Sequence, residues 1–190
     1  MAEDGLDREA VNRDRRSLLR GRPAAGPPPI HPPWSRPDCF TALCTRCGAC
    51  AEACPEAILR AGDGGYPEVD FARGECSFCG ACAEACTEPI FDRTRAPWGA
   101  PWSLRPAIAP SCLAVQRVVC RSCQDACPEG AIRFQPAPGG AAHARIDDAA
   151  CTGCGACVAA CPSGAVTLTR RSDPDKTAPQ KIGSPAHAAR

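Results

Sequence analysis

The sequence is poor in the side chains from which a protein of its length normally builds a core. Only 27 of its 190 residues are Val, Ile, Leu or Phe, about 14% of the chain. That share is below the roughly 20% under which an ordinary core becomes hard to form. Three Trp and one Tyr add little. The composition argues against a conventional globule packed on aliphatic layers, and it indicates that a bound group replaces the missing core.

Several function classes also lack their usual sequence features. No apolar run approaches the roughly 18 residues that a membrane-spanning helix needs. A formal charge of +1 gives no field that favours nucleic acid or an anionic membrane. No nucleotide-binding glycine motif occurs, and His31, His143 and His187 stand apart in the chain. The sequence therefore predicts no catalytic constellation and no enzyme.

Cysteine, in contrast, is abundant, with 17 residues, of which sixteen lie in four local runs. Three runs share the spacing C-x2-C-x2-C-x3-C, and a fourth keeps the last two intervals but stretches the first. Cys39 stands outside these runs and is interpreted as a small, half-buried apolar residue. The four runs are Cys44, Cys47, Cys50 and Cys54; Cys76, Cys79, Cys82 and Cys86; Cys112, Cys120, Cys123 and Cys127; and Cys151, Cys154, Cys157 and Cys161.

The spacing of these runs is typical of iron–sulfur ligation. Thiolates suit zinc, copper(I) and iron–sulfur clusters, but a zinc site usually takes two separated C-x2-C pairs. An odd total in tight runs fits a disulfide framework poorly. Three close cysteines with a fourth one helical turn later are the bacterial [4Fe–4S] pattern, in which the fourth cysteine ligates the other cluster of a pair. The sequence therefore predicts four [4Fe–4S] clusters.

This exchange rule groups the sixteen cysteines into four predicted sites. The stretched third run also has Arg121 at a position where the other runs have Gly48, Gly80 and Gly155. We expect a positive φ at these glycines and an atypical cluster where Arg121 replaces them. Site 1 is Cys44, Cys47, Cys50 and Cys86; site 2 is Cys76, Cys79, Cys82 and Cys54; site 3 is Cys112, Cys120, Cys123 and Cys161; site 4 is Cys151, Cys154, Cys157 and Cys127.

The text around the runs repeats at intervals of 31 to 32 residues, so each run belongs to one small supersecondary unit. Each unit is interpreted as a cysteine loop, one or two helical turns and a strand, with strand-like segments at 66–71, 131–134, 144–147 and 165–168. The predicted fold class is α+β, with two tandem bacterial-type two-cluster ferredoxin modules whose small βαβ-like units pack around the clusters. The predicted organisation is a disordered Arg/Pro-rich arm at 1–37, modules at 38–92 and 107–169, a Trp/Pro linker at 93–106, and a disordered tail at 170–190.

Residues between and around the runs carry a resemblance to a known family. The chain resembles the NapF family, the ferredoxin-type accessory proteins of the periplasmic nitrate reductase system. The irregular third run is part of that family's pattern, so the match is more specific than four generic ferredoxin motifs. The residues that carry it are Arg15 to Arg22, Pro32-Pro33-Trp34-Ser35, Gly65-Tyr66-Pro67, Cys112-Leu113-Ala114 and Cys120 to Asp125.

The resemblance implies a cytoplasmic protein with four [4Fe–4S] clusters. It also implies contact with the immature, cytoplasmic form of the molybdenum-containing catalytic subunit of nitrate reductase, before that subunit is exported. The segment around Arg15 and Arg16 resembles a twin-arginine export signal but lacks the apolar stretch that export needs. Assembly of clusters from reduced thiols also favours the cytosol. The alternative function is an electron-transfer subunit of a respiratory or hydrogenase-type oxidoreductase complex.

Overall fold

A computed structural model describes residues 28–95 and 102–170. The helices in these ranges are single turns, and the strands are three to five residues long, as expected for short elements between metal-binding loops. The helices are α1 (Phe40–Leu43), α2 (Ala49–Glu52), α3 (Ala81–Glu84), α4 (Ser122–Asp125) and α5 (Ala156–Ala159). The strands are β1 (Leu59–Ala61), β2 (Pro67–Val69), β3 (Leu104–Ile108), β4 (Ile132–Pro136), β5 (Ala142–Ile146) and β6 (Val166–Arg170).

The strands pair as two-stranded antiparallel ribbons. Strand β1 pairs with β2, β4 with β5, and β3 with β6. The mixture of short helices and strands agrees with the predicted α+β class. The βαβ-like description of the repeat is wrong in one respect, because a βαβ unit joins parallel strands through a crossover. Here the cysteine loop and its helix leave one ribbon and the chain continues into a strand of another.

The N-terminal boundary of the first module is also corrected. The sequence predicts disorder through residue 37, but residues 28–37 pack against the module. Trp34 is only 2% exposed. Its carbonyl accepts the N–H of Asp92 at 2.9 Å, and the N–H of Arg36 donates to Ile90 at 2.9 Å. The chain turns at Pro33 and Trp34, where Trp34 has a φ of 59°, and the large indole provides the apolar area that holds the segment in place.

The predicted boundary between the linker and the second module is corrected in the same way. Leu104 is fully buried and begins β3, which pairs with β6, so residues 104–106 belong to the second module. The predictions for residues 1–27 and 171–190, for Arg15 and Arg16, and for the central linker 96–101 concern residues outside the described ranges. Within the described ranges, no helix is long and apolar enough to cross a membrane.

The buried apolar side chains form one main cluster and two smaller ones. The main cluster holds side chains of the first module, such as Phe40, Ile58 and Ile90, together with Leu104, while Leu168 packs against it. The main core therefore includes side chains from both modules. Six of the predicted ligand cysteines are buried in these clusters: Cys50, Cys82, Cys86, Cys112, Cys123 and Cys157. The scarce apolar residues thus surround the cysteines, as the composition suggested.

Candidate metal centres

In the first module, the structure brings together the four cysteines of site 1. Burial, and after it the neighbouring thiols of Cys44, Cys86 and Cys47, raise the pKa of Cys50 to about 11. Cys86 comes from the second run and the other three from the first. Helices α2 and α3 pack together, and this contact places the end of each run beside the start of the other. The grouping is the one expected from exchange of the fourth cysteine.

Site 2 has the complementary composition. Burial, and then other thiols that include Cys76, Cys79 and Cys54, raise the pKa of Cys82 to about 12. All four of these cysteines line one partly enclosed cavity, together with Gly80. A hollow lined by four thiols and a glycine suits a compact thiolate-ligated group such as a [4Fe–4S] cluster.

Site 3 in the second module is assembled from two runs as well. Burial, followed by the thiols of Cys112, Cys161 and Cys120, raises the pKa of Cys123 to about 11. The stretched interval after Cys112 therefore does not remove this residue from the group. The intervening loop leaves Val119, directly before Cys120, 96% exposed.

Site 4 completes the set. Burial, and then neighbouring thiols led by Cys154 and Cys151, raise the pKa of Cys157 to about 12. Cys127, from the third run, lies close enough to contribute to the raised pKa of Cys151, after burial and the thiol of Cys154. The structure therefore places all sixteen cysteines in the groups that the exchange rule predicts, and their role as ligands is taken up as a proposal below.

Contacts between sites arrange the four groups in a row. The thiol of Cys50 in site 1 interacts electrostatically with Cys82 in site 2. Cys76 in site 2 interacts in the same way with Cys154 in site 4. Cys157 in site 4 interacts with Cys123 in site 3. The spatial order of the sites is therefore 1, 2, 4, 3, with the junction between the modules in the middle.

The glycine after the second cysteine has the predicted conformation in all three regular runs. Gly48, Gly80 and Gly155 have φ values of 86°, 80° and 95°, and each directly precedes a helix. Arg121, at the corresponding place in the third run, has φ −135°, so α4 begins from a different backbone conformation. The left-handed region is costly for a residue with a Cβ, which explains why the arginine run departs there.

A second left-handed position lies directly before the second cysteine of each regular run, and in two of the runs the residue there is not glycine, so no sequence signal predicts it. The φ angles there are 60°, 54° and 76°. In each run the N–H of this residue hydrogen-bonds to the thiol of the first cysteine, which opposes the rise in pKa caused by burial. Backbone N–H groups turned inward in this way form a concave surface suited to an anionic cluster. The three residues are Arg46, Phe78 and Gly153.

Cys161 of site 3 differs electrostatically from the other shifted thiols. Burial acts to raise its pKa, but hydrogen bonds from the Ser163 hydroxyl and from the backbone N–H groups of Ala165, Ser163 and Val166 outweigh burial, so the pKa is lowered. The N–H of Ala165 lies 3.3 Å from Cys161 Sγ. Site 3 therefore has an unusually rich set of donors to one of its sulfurs.

Cys39, the seventeenth cysteine, lies outside the four sites. Cys39 is partly exposed, as expected, and its Sγ lies 3.9 Å from the Arg36 carbonyl oxygen. Among the residues that the structure describes, no three His, Cys, Asp or Glu side chains converge where one metal ion would bind. Four thiols around a hollow fit a multi-iron cluster better than a single zinc ion, which needs its ligand atoms within about 2.3 Å.

Comparisons with known proteins give matches over the same regions. A family model described as a 4Fe-4S dicluster domain matches residues 43–90 and again residues 116–165. A ferredoxin-type protein NapF from Haemophilus influenzae is 50% identical over 141 residues, which cover 73% of this chain and 78% of that protein. A ferredoxin-type protein NapF from Escherichia coli K12 is 46% identical over 160 residues, covering 83% and 94%. The second domain match begins at residue 116, so it includes Cys120 and Arg121 but not Cys112, the first cysteine of the stretched run.

Proposed function

We propose that sites 1 to 4 each hold one [4Fe–4S] cluster, because the chain belongs to the NapF family of ferredoxin-type proteins and contains two 4Fe-4S dicluster segments. It is therefore an iron–sulfur electron-transfer protein. The observation that carries the proposal is the exchange of the fourth cysteine between paired runs, such as Cys86 beside Cys50. A cluster with four cysteine ligands has no open iron position, so it supplies one-electron transfer rather than substrate chemistry. We place the modules at 28–92 and 104–170.

Because the sites lie in a row, electrons can be transferred along the molecule from one end to the other. Sites 1 and 3 lie at its two ends, and sites 2 and 4 meet at the junction between the modules. An electron that enters at one end reaches the other through successive neighbouring sites. This arrangement supports a relay between two partners more than a carrier that exchanges electrons with one partner at one surface.

Exposed apolar side chains mark both ends of this row. Among the described residues, the large apolar side chains that are exposed are Leu43, Val118 and Val119. Leu43 directly precedes Cys44 of site 1, and Val118 and Val119 directly precede Cys120 of site 3. Apolar side chains beside a redox centre suit contact with a protein partner, because they are buried when the partner docks.

The partner that the family implies is the catalytic subunit of periplasmic nitrate reductase in its immature form. We propose that the protein binds this subunit in the cytoplasm and supplies single electrons while the metal centres of the subunit are installed, before export. Both the NapF relatives and the two-ended row support this role. The exposed loop at Val118 and Val119 is the contact that we assign to the subunit, because it adjoins a terminal site.

The test combines deletion with capture. In cells without this protein, we expect the nitrate reductase subunit to accumulate in the cytoplasm without its complete metal centre, measured as metal content per purified subunit. The alternative, an electron-transfer subunit of a respiratory or hydrogenase-type complex, predicts normal metal content with reduced enzyme flux. That second result would overturn the maturation role.

Capture of the immature subunit by the tagged, anaerobically prepared protein tests the docking surface. The double variant Val118→Ser with Val119→Ser is expected to weaken capture at least tenfold, and Leu43→Ser serves as the matched control at the other end. Equal weakening by the control, or no weakening by the double variant, would contradict the assigned contact. Iron and sulfide content of each variant confirms that its clusters are intact.

A further inference from the structure

Site 3 differs from the other three sites at two positions of the repeat. The residue two positions after the second cysteine is alanine in the three regular runs and serine in the third run of the chain, which is the stretched one. The second residue after the last cysteine is glutamate in the first three runs and serine in the fourth, whose last cysteine belongs to site 3. The residues are Ala49, Ala81, Ser122 and Ala156 at the first position, and Glu56, Glu88, Glu129 and Ser163 at the second.

The structure places both serine hydroxyls against cysteines of site 3. Ser122 Oγ lies 3.7 Å from Cys120 Sγ, and Ser163 Oγ lies 3.6 Å from Cys161 Sγ. An iron-bound cysteine carries no S–H proton, so in each pair the hydroxyl is the donor and the sulfur is the acceptor. With the N–H of Ala165, site 3 therefore receives three hydrogen bonds from this set of residues.

Glutamates occupy the position of Ser163 at the other three sites. Glu56 lines the cavity of site 2 together with Cys54. Glu88 follows Cys86 of site 1 by two residues, and Glu129 follows Cys127 of site 4 by the same interval. The residue two positions after the exchanged cysteine is thus an acidic one at each of these sites, and it is a neutral hydroxyl donor at site 3.

We propose that Ser122 and Ser163 raise the reduction potential of site 3 above the potentials of sites 1, 2 and 4, so that an electron on the row resides mainly at site 3. This inference rests on the proposed function, in which each site holds a cluster. Reduction adds one electron to a site and makes its sulfurs more negative. Hydroxyl donors stabilise that added charge, and nearby carboxylates destabilise it.

Site 3 lies at one end of the row, so a higher reduction potential at site 3 sets the direction of electron transfer. Site 3 is the terminal site beside the exposed Val118 and Val119 loop. An electron delivered at site 1 moves through sites 2 and 4 toward the site of highest potential and is then held beneath the exposed loop. Ser122 and Ser163 act through their sulfur partners, so they are positioning residues that set the direction of transfer.

Redox titration of the anaerobic full-length protein, followed by EPR, tests the inference. We expect the Ser122→Ala and Ser163→Ala double variant to keep about sixteen iron atoms per chain and to show one midpoint potential shifted downward. A tenfold change of the reduction equilibrium corresponds to about 59 mV for a one-electron couple, and this is the shift we expect. The variant Cys112→Ala identifies the shifted midpoint as that of site 3, because that midpoint is lost.

Two further variants separate hydrogen bonding from a general change of structure. Ser122→Thr with Ser163→Thr keeps both hydroxyls and is expected to keep the wild-type potential. Ala49→Ser with Glu88→Ser transfers both features to site 1 and is expected to raise one different midpoint. Unchanged potentials in the alanine variant, with all four clusters present, would overturn the inference. Fewer than four clusters in the wild-type protein would instead overturn the proposed function.

Discussion

The backbone N–H of Cys76 donates a hydrogen bond to the carbonyl oxygen of Cys154 at 2.8 Å, and this bond joins the two modules directly at their cysteine loops. Cys76 belongs to site 2 and Cys154 to site 4. The next residue, Gly155, lies against the ring of Phe71 from the first module. The junction is therefore made by the loops that carry the cysteines, and packing between the modules and placement of sites 2 and 4 depend on the same residues.

Gly155 gives the most direct test of this junction. A Cβ at Gly155 would overlap the ring of Phe71, whereas a Cβ at Gly48, which has a similar positive φ, would meet no atom within 4 Å. We expect Gly48→Ala to lower the free energy of unfolding by about 1–2 kcal/mol, the cost of the left-handed backbone. Gly155→Ala should lower it by about 3 kcal/mol or more, because overpacking is added. Anaerobic denaturant unfolding measures both, and equal losses would contradict a tight junction.

Trp102 tests the same junction from the side chain. Its Nε1–H donates to the Gly153 carbonyl at 3.1 Å, and its ring meets those of Phe71 and Phe78 edge-on at 5.7 and 6.1 Å between centroids. Trp102→Phe should cost about 1–2 kcal/mol of unfolding free energy, because the hydrogen bond and part of the ring are lost while one aromatic ring remains. Trp102→Ala should cost about 3 kcal/mol, because the ring contacts are lost as well. Unfolding midpoints of the two variants check this, and a phenylalanine variant as unstable as the alanine variant would show that ring packing is unimportant.

The elements that the sequence predicts well are those whose cause is local. A positive φ at Gly48 follows from the need of a wrapping loop, and the structure shows it. The strand predicted at residues 66–71 includes β2. It could be predicted because the alternation of apolar and polar side chains that marks such a strand is visible in the sequence. Such features depend on a few neighbouring residues, so their sequence signal is complete.

Features that depend on distant contacts have a weaker sequence signal. The Pro-rich segment around Trp34 has few apolar residues and predicts a disordered arm, yet backbone hydrogen bonds to Ile90 and Asp92 hold the segment against the module. Arg46 and Phe78 have positive φ although neither residue type favours it, because the loop closes around its first thiol. The junction at Cys76 and Cys154 has no sequence signature, because two ordinary backbone groups form it.

Exchange of the fourth cysteine can be tested by counting iron in double variants. Cys54→Ala with Cys76→Ala disrupts only site 2, so about twelve iron atoms per chain should remain of about sixteen. Cys54→Ala with Cys44→Ala disrupts sites 2 and 1, so about eight should remain. Cys39→Ala is the control and should retain the full content, because Cys39 lies outside all four sites. Iron and sulfide assays after anaerobic purification give the counts, and the reverse pattern would mean that each run ligates its own cluster.

The order of the sites predicts which cluster, when lost, separates the remaining clusters from one another. Cys47 of site 1 and Cys79 of site 2 are both exposed, so an alanine at either position disturbs packing little and the two variants are a matched pair. Magnetic coupling between reduced clusters falls steeply with distance. Cys79→Ala should therefore leave site 1 with a narrow, uncoupled EPR signal in the fully reduced protein, because its neighbour in the row is gone.

Cys47→Ala removes a terminal site instead, so the remaining sites 2, 4 and 3 should keep their coupled, broadened spectrum. Both variants should retain about twelve iron atoms per chain, which shows that one cluster is lost in each. If site 1 stays coupled in the Cys79→Ala protein, it has a second neighbour, and the order 1, 2, 4, 3 is wrong. The electrostatic interaction of Cys50 with Cys82 and the hydrogen bond between Cys76 and Cys154 indicate the opposite, with site 2 between site 1 and the second module.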